Sequence, residues 1–223
     1  MNTKILKIGD LLLEPSEEPD WELYTKKLEC GGTGASTVTL ISGEKVMLVD
    51  TGFERESDMS ASNLKKNHEK LLMVLRMEGL TPDDIDYVFF THLHRDHTGN
   101  YELFQKSKFL MSAYEYGRCH IPNSEPLDDS DEIMEGVSVL YTPGHCRGHS
   151  SLKVDLEDTI VIAGDAIVSL AYLLKGKFWS YNRDYYSDEA SKDSLKKILD
   201  TADYIIPGHG SIFTNVGFNA LEL

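Results

Sequence analysis

The run His92-Leu93-His94-Arg95-Asp96-His97 constrains this chain more than any other feature. Six residues supply four side chains of metal-ligand type. Alternate residues of an extended strand face the same way, so His92 and His94 can grip one ion while a turn after them sends Asp96 and His97 toward a second. A chain built around this run needs a strand end at a polar edge, and partners that arrive there from elsewhere in the sequence.

Those partners follow other apolar, β-rich runs. Phe89-Phe90-Thr91 delivers His92, Leu140-Tyr141-Thr142-Pro143-Gly144 delivers His145, Val161-Ile162-Ala163-Gly164 delivers Asp165, and Ile205-Ile206-Pro207-Gly208 delivers His209. Glycine immediately precedes three of the four, which permits the tight turns and close backbone approach that several loops around a small ion require. If the strands lie side by side with their ends at one edge, seven side chains converge: His92, His94, Asp96, His97, His145, Asp165 and His209. A plausible partition gives His92, His94 and His145 to one ion and Asp96, His97 and His209 to a second, with Asp165 bridging both. This leaves an open position for water, the pattern of a catalytic zinc site. Imidazole and carboxylate without thiolate suit zinc, iron, manganese or cobalt; zinc is the first choice and iron the second.

The remaining pattern predicts an α/β sandwich. Short strands are expected over Ile5 to Ile8, Thr37 to Ile41, Lys45 to Val49, Ile85 to Phe90, Lys108 to Met111, Val137 to Tyr141, Ser151 to Val154, Ile160 to Ala163 and, last, Tyr204 to Ile206. Leu64, His68, Leu71, Leu72, Leu75 and Met77 recur at helical spacing before Gly79 and Pro82, and a second helix is expected from Asp188 to Asp200. Pro15 to Asp20 and Ile121 to Asp131 read as surface loops. Strands with helices between them, in both halves, give sheets covered by helices.

A chain of 223 residues fits one domain, taken as residues 1–223. Lys and Arg number 22 against 37 Asp and Glu; the formal charge of −15 repels polyanions, so nucleic acid is disfavoured as a partner. Cys30, Cys119 and Cys146 are an odd, widely spaced set that argues against a secreted disulfide framework. No signal-like segment and no run of about 18 apolar residues is present. The expectation is a cytoplasmic protein without a membrane span.

The chain resembles members of the metallo-β-lactamase fold superfamily. The signatures appear in order as Asp50-Thr51-Gly52, Thr91-His92-Leu93-His94-Arg95-Asp96-His97, Thr142-Pro143-Gly144-His145, Gly164-Asp165 and Pro207-Gly208-His209-Gly210, spanning about residues 35 to 214. The resemblance implies a four-layer αββα sandwich with the site at the sheet edges. The Asp-Thr-Gly step, the segment His145-Cys146-Arg147-Gly148-His149 and the ending Ile206-Pro207-Gly208-His209-Gly210 are similar to the metallo-β-lactamase domain-containing protein 1-like group of hydrolases.

Two divalent ions about 3.5–4 Å apart can share a solvent molecule and lower its pKa toward about 7, so hydrolysis by a metal-bridging hydroxide is the expected chemistry. Asp96, ligand and hydrogen-bond acceptor at once, is the expected catalytic side chain. Two dications, two carboxylates and a hydroxide leave one net positive charge, which favours a small anionic substrate. Among reactions implied by the resemblance, glutathione thioesterases carry a helical C-terminal domain for which few residues follow His209. RNA-processing relatives carry a cap domain for which the spacing between His145 and His209 leaves no room. True β-lactamases generally lack the bridging aspartate. Acyl-homoserine lactonases share all seven ligands and use a nearby tyrosine, for which Tyr172, Tyr181, Tyr185 and Tyr186 are candidates, Tyr181 and Tyr185 foremost. A small ester or lactone therefore leads and phosphodiester cleavage follows. A non-hydrolytic, iron-dependent oxidoreductase is the rival of another class, although its flavodiiron branch places Glu where this chain has His94.

Asp50 is expected to brace the site from behind, and His149 to hold the loop of His145 by a hydrogen bond. Cys146 is expected to be structural, since neighbours in an extended segment point apart. The aromatic stretch from Tyr172 to Tyr186 is read either as a wall of the substrate pocket or as packing, including a homodimer contact.

Overall fold

A computed structural model describes residues 1–11, 15 and 34–217. Beyond Pro15 itself, the connection expected over Pro15 to Asp20 lies outside the described residues, as does Cys30.

Two six-stranded sheets form the middle of the molecule. In the first, β1 (Asn2–Lys7), β4 (Val38–Ser42), β5 (Val46–Val49), β6 (Tyr87–Phe89), β7 (Lys108–Ser112) and β8 (Ser124–Leu127) lie side by side in that order. The second runs β14 (Phe213–Thr214), β13 (Tyr204–Pro207), β12 (Thr159–Gly164), β11 (Ser150–Asp155), β10 (Val137–Tyr141) and β9 (Glu132–Met134). A small ladder pairs β2 (Asp10–Leu11) with β3 (Gly34–Ala35).

Strand periodicity decides which face each side chain serves. Ile41, Met47, Val49, Phe89 and Leu110 of the first sheet meet Val139, Leu152, Val154, Ile162 and Ile206 of the second in the central core. Their alternates Leu40, Leu48, Val88, Phe109 and Met111 turn outward onto Leu71 and Leu75 of helix α1 (Ala61–Met77). On the opposite side Val161, Ala163 and Ile205 turn onto Leu195, Ile198 and Leu199 of a second long helix, Asp188–Thr201. Both faces of both sheets are thus apolar, and the four layers are αββα.

Two expectations need correction. Ile121 to Asp131 contains β8, which pairs in parallel with β7 and lies at the sheet edge, where Pro126 removes a donor without breaking an inner ladder. In α1, Met77 is exposed, and the buried stripe is Asn63, Asn67, Leu71 and Leu75. The stripe is polar in its first half for a reason: Asn63 Nδ2 donates to the carbonyls of Glu54, Arg55 and Asp58, and Asn67 Oδ1 accepts from Glu54 N–H. These bonds hold the loop that follows Asp50-Thr51-Gly52.

Strand direction positions the site. β10 is antiparallel to β11, β11 to β12, and β12 is parallel to β13, so β10, β12 and β13 all point the same way. Their C-terminal ends release the loops of His145, Asp165 and His209 at one edge. β5 and β6 are parallel and release Asp50 and His92 together. Bonds from Ser150 N–H to Thr91 C=O (2.9 Å) and from Thr37 N–H to Gly208 C=O (2.7 Å) join the two sheets there.

Candidate metal centre

After β6 the chain bends at Thr91 and His92, is extended at His94 and then turns into α2 (Arg95–Thr98), a single helical turn that carries Asp96 and His97. His92 and His94 come together at this bend: His92 Nε2 lies 2.9 Å from His94 Nδ1, and His145 Nε2 lies 3.0 Å from the same atom. The helical turn reverses direction and sends the next two ligand types to a neighbouring point. Asp96 Oδ2 is 3.4 Å from His209 Nε2 and 3.7 Å from His97 Nε2. Asp165 stands between the groups, with Oδ2 3.3 Å from His145 Nε2 and Oδ1 3.3 Å from His97 Nε2 and 3.5 Å from His209 Nε2. All seven expected side chains therefore meet, in three overlapping sets, His92/His94/His145, Asp96/His97/His209 and His92/His97/Asp165, with Asp165 also facing His145 and His209.

The arrangement fits divalent cations. Nitrogens about 2.0–2.1 Å from an ion at tetrahedral corners lie roughly 3.3 Å apart, close to the spacing of the first group. His97 Nε2 and Asp165 Oδ1 are buried and 3.3 Å apart without a well-aligned hydrogen bond between them, a spacing that a cation held by both would satisfy. The groups behind the rings select the lone pairs. Thr91 Oγ donates to Asp50, so it accepts from His92 Nδ1 and leaves His92 Nε2 bare toward the cluster. His97 Nδ1 donates to Asp50 Oδ2 at 2.7 Å, and His209 Nδ1 donates to the carbonyl of Asp10 at 2.9 Å, so each likewise offers Nε2. Outward donation of one ring N–H is how ligand imidazoles are fixed.

Electrostatics divide the cluster. Burial opposes protonation of His97 and His209, yet carboxylates outweigh it. Asp50, Asp165 and Asp96 hold His97 well above the usual imidazole value, and Asp165 and Asp96 raise His209 to about 10. Burial likewise opposes ionisation of Asp96, but His97 and His209 hold it down to about 2. In the first group burial wins at His92, which lies well below the usual value, and at His145, which falls to about 3, whereas at His94 it is outweighed by the bond to Asp184 and the charges of Asp96 and Asp165, which raise the ring. His92 and His145 thus present neutral lone pairs, while the carboxylates of the second group call for positive charge.

Asp50 is the brace expected of it. Its carboxylate accepts from Thr91 N–H (3.0 Å), Thr91 Oγ–H and His97 Nδ1–H, from a backbone at φ 56° that aspartate tolerates better than most residues. His149 holds two loops at once, donating through Nδ1 to the Thr142 carbonyl (3.1 Å) and accepting Asp165 N–H on Nε2 (3.0 Å). Gly164, at φ 51°, could carry no Cβ there without meeting His149 Nε2 at 2.7 Å. At Gly208 a Cβ would fall 1.9 Å from Asp165 Oδ1. Cys146 is buried with Sγ 3.7 Å from Glu115 Oε1, and burial pushes its thiol far above the usual range.

The aromatic stretch includes a short helix, Leu170–Leu174, and divides its tyrosines. Tyr172 is buried against Trp179, and Tyr181 packs edge-on to that indole at 4.9 Å. The Tyr185 hydroxyl donates to Asp188 Oδ1 at 2.6 Å and meets Ser191 Oγ at 3.2 Å. Two residues that sequence reasoning passed over reach the histidines instead: Asn182 Nδ2 donates to the His145 carbonyl (2.9 Å), and Asp184 Oδ1 lies 3.0 Å from His94 Nε2. Neither belongs to a motif, and no local signal marks them.

Comparison with known proteins agrees with this fold. The chain matches the metallo-beta-lactamase superfamily over residues 31–128 and 113–209. It is 33% identical over 189 residues to metallo-beta-lactamase domain-containing protein 1 of Xenopus laevis, covering 79% of this chain and 71% of that one. An N-acyl homoserine lactonase of Bacillus cereus is 27% identical over 173 residues, covering 66% of this chain and 64% of the lactonase, so this chain spans under two thirds of that relative's length. The crystal structure of a quorum-quenching N-acyl homoserine lactone lactonase superposes with a TM-score of 0.60 at 25% identity over 78% of each chain. With the αββα layers, the ordered motifs and a match across most of its length, the chain belongs to the metallo-beta-lactamase superfamily.

Proposed function

We propose that this chain is a dinuclear metal-dependent hydrolase that cleaves a small ester, lactone or related bond. The observation that carries the reading is the Asp165 carboxylate, whose two oxygens face different groups, Oδ2 toward His145 and Oδ1 toward His97 and His209. In this reading His92, His94 and His145 hold one ion, Asp96, His97 and His209 hold the other, and Asp165 contacts both. Zinc suits the nitrogen and oxygen donors best, with iron or manganese next. Bound ions would supply Lewis-acid polarisation of the scissile group and water made nucleophilic near neutral pH.

The protein's own groups do the rest. Asp96 is buried and held ionised by His97 and His209, so it can accept a hydrogen bond from the attacking water and orient it. Asp50 and His149, fixed behind the ligands, keep the two groups from drifting apart as charge moves. Tyr181 is the proposed substrate-facing aromatic; Tyr185 would reach substrate only by giving up Asp188 and Ser191. Similarity to an N-acyl homoserine lactonase supports a lactone or ester over a phosphodiester.

Metal analysis of purified protein, together with a panel of lactones, thioesters, carboxylic esters and phosphodiesters, tests the reading. Two divalent ions per chain and turnover of a carbonyl ester are expected; stoichiometric iron with redox turnover would replace it. Asp165→Ala should collapse two-ion occupancy, and retention of two tightly held ions in that variant would overturn the bridging role.

A further inference from the structure

We propose that Asp184 is a positioning residue that fixes the tautomer of His94 and thereby makes Nδ1 the atom His94 offers to an ion. The inference rests on the reading of His92, His94 and His145 as a metal site. A carboxylate at neutral pH is an acceptor only, so the 3.0 Å contact to Asp184 Oδ1 places the ring hydrogen on His94 Nε2. The bare Nδ1 then points at the gap it shares with His92 Nε2 and His145 Nε2. His92, His97 and His209 are set the opposite way, each donating through Nδ1 to Thr91, Asp50 and Asp10 and presenting Nε2. His94 would offer the wrong nitrogen if it followed them. Asp184 supplies the exception.

The segment that carries Asp184 is pinned across the site. Asn182 Nδ2 donates to the His145 carbonyl at 2.9 Å, and Tyr186 N–H donates to the Gly144 carbonyl at 2.9 Å, one anchor on each side of Asp184. An ion pair with Arg118 is the competing explanation for Asp184, but Nη1 lies 3.9 Å away, at the limit of such a contact. The side chains of His94 and Asp184 are 28% and 35% exposed, so water screens their charges and the contribution is one of ring orientation. Outer hydrogen-bond partners of ligand histidines typically account for about 10–100-fold in metal affinity.

The test compares wild type, Asp184→Ala, Asp184→Asn and His94→Ala, loaded with cobalt(II) and titrated against a chelator, with the visible spectrum of the bound cobalt as second readout. Asp184→Ala should weaken one of the two ions by about 10–100-fold and change its spectrum. Asp184→Asn keeps an oxygen that accepts from Nε2–H and should restore most of both. Unchanged affinity and spectrum in Asp184→Ala would overturn the assignment, as would an Asn variant no better than Ala. The underlying site reading fails separately, when His94→Ala loses no ion or wild type takes none up.

Discussion

Asp50 concentrates the argument at the scale of single residues. One carboxylate, about 2% exposed, accepts from the Thr91 backbone, the Thr91 hydroxyl and the His97 ring, and through Thr91 it also sets His92. Removing it leaves a buried imidazole and a buried N–H without a partner. Breaking a buried pair by deleting one member typically costs about 3–5 kcal/mol. Asp50→Ala is therefore expected to lose stability on that scale in urea unfolding of chelator-treated protein, while a loss under about 1 kcal/mol would mean that water replaces the carboxylate. The seven ligand types could be recognised from sequence because four of them follow apolar runs and the other three share one hexapeptide with His92. Asp184 could not, because the residue it serves lies 90 positions away and the bond depends on how two loops meet.

Elements convert these contacts into a placed site. The turn Ala113–Tyr116, α3, follows β7 and puts Glu115 beneath the loop of His145: the carboxylate is about 2% exposed, and a Cβ on Gly148 would strike it at 2.2 Å. Burial raises the Glu115 carboxyl above its usual 4.5, an effect that Arg118 only partly offsets. A carboxyl whose pKa is raised by folding binds its proton more tightly in the native state. Its contribution to stability is full below the unfolded value and declines as pH rises through the folded one. Glu115→Gln has nothing to titrate, so its urea midpoint should gain on wild type between pH 4 and pH 7. A difference that does not grow over that interval would show the carboxylate to be well paired. Nine strands and both long helices were legible from period-2 and period-3.6 patterns, whereas the short β2, β3, β9 and β14 were not. β8 was not, because Ser124-Glu125-Pro126-Leu127 at an edge has little reason to alternate.

At the scale of the whole molecule, the site joins the two sheets. His92 and His97 follow β6 of the first sheet, whereas His145, Asp165 and His209 follow β10, β12 and β13 of the second. Ions bound among them would tie the halves together, and binding to the native state alone adds about 4 kcal/mol at a thousandfold excess over Kd. Chelation is thus expected to lower Tm by about 10 °C, at roughly 2–4 °C per kcal/mol for a chain of this size. Calorimetry with and without a chelator checks this, and an unchanged Tm would place the ions off the fold's stabilising contacts. Among the described residues no helix is long and apolar enough to cross a membrane.

The sequence by itself determined the layers, the strand ends and the ligand types, because hydrophobic periodicity and residue chemistry are written locally along the chain. Tertiary structure decided which nitrogen each histidine offers, why α1 buries Asn63 and Asn67, and which members of the aromatic stretch reach the site. Those outcomes depend on hydrogen-bond partners far apart in the chain, whose geometry exists only after the two sheets have packed and fixed the loops between them.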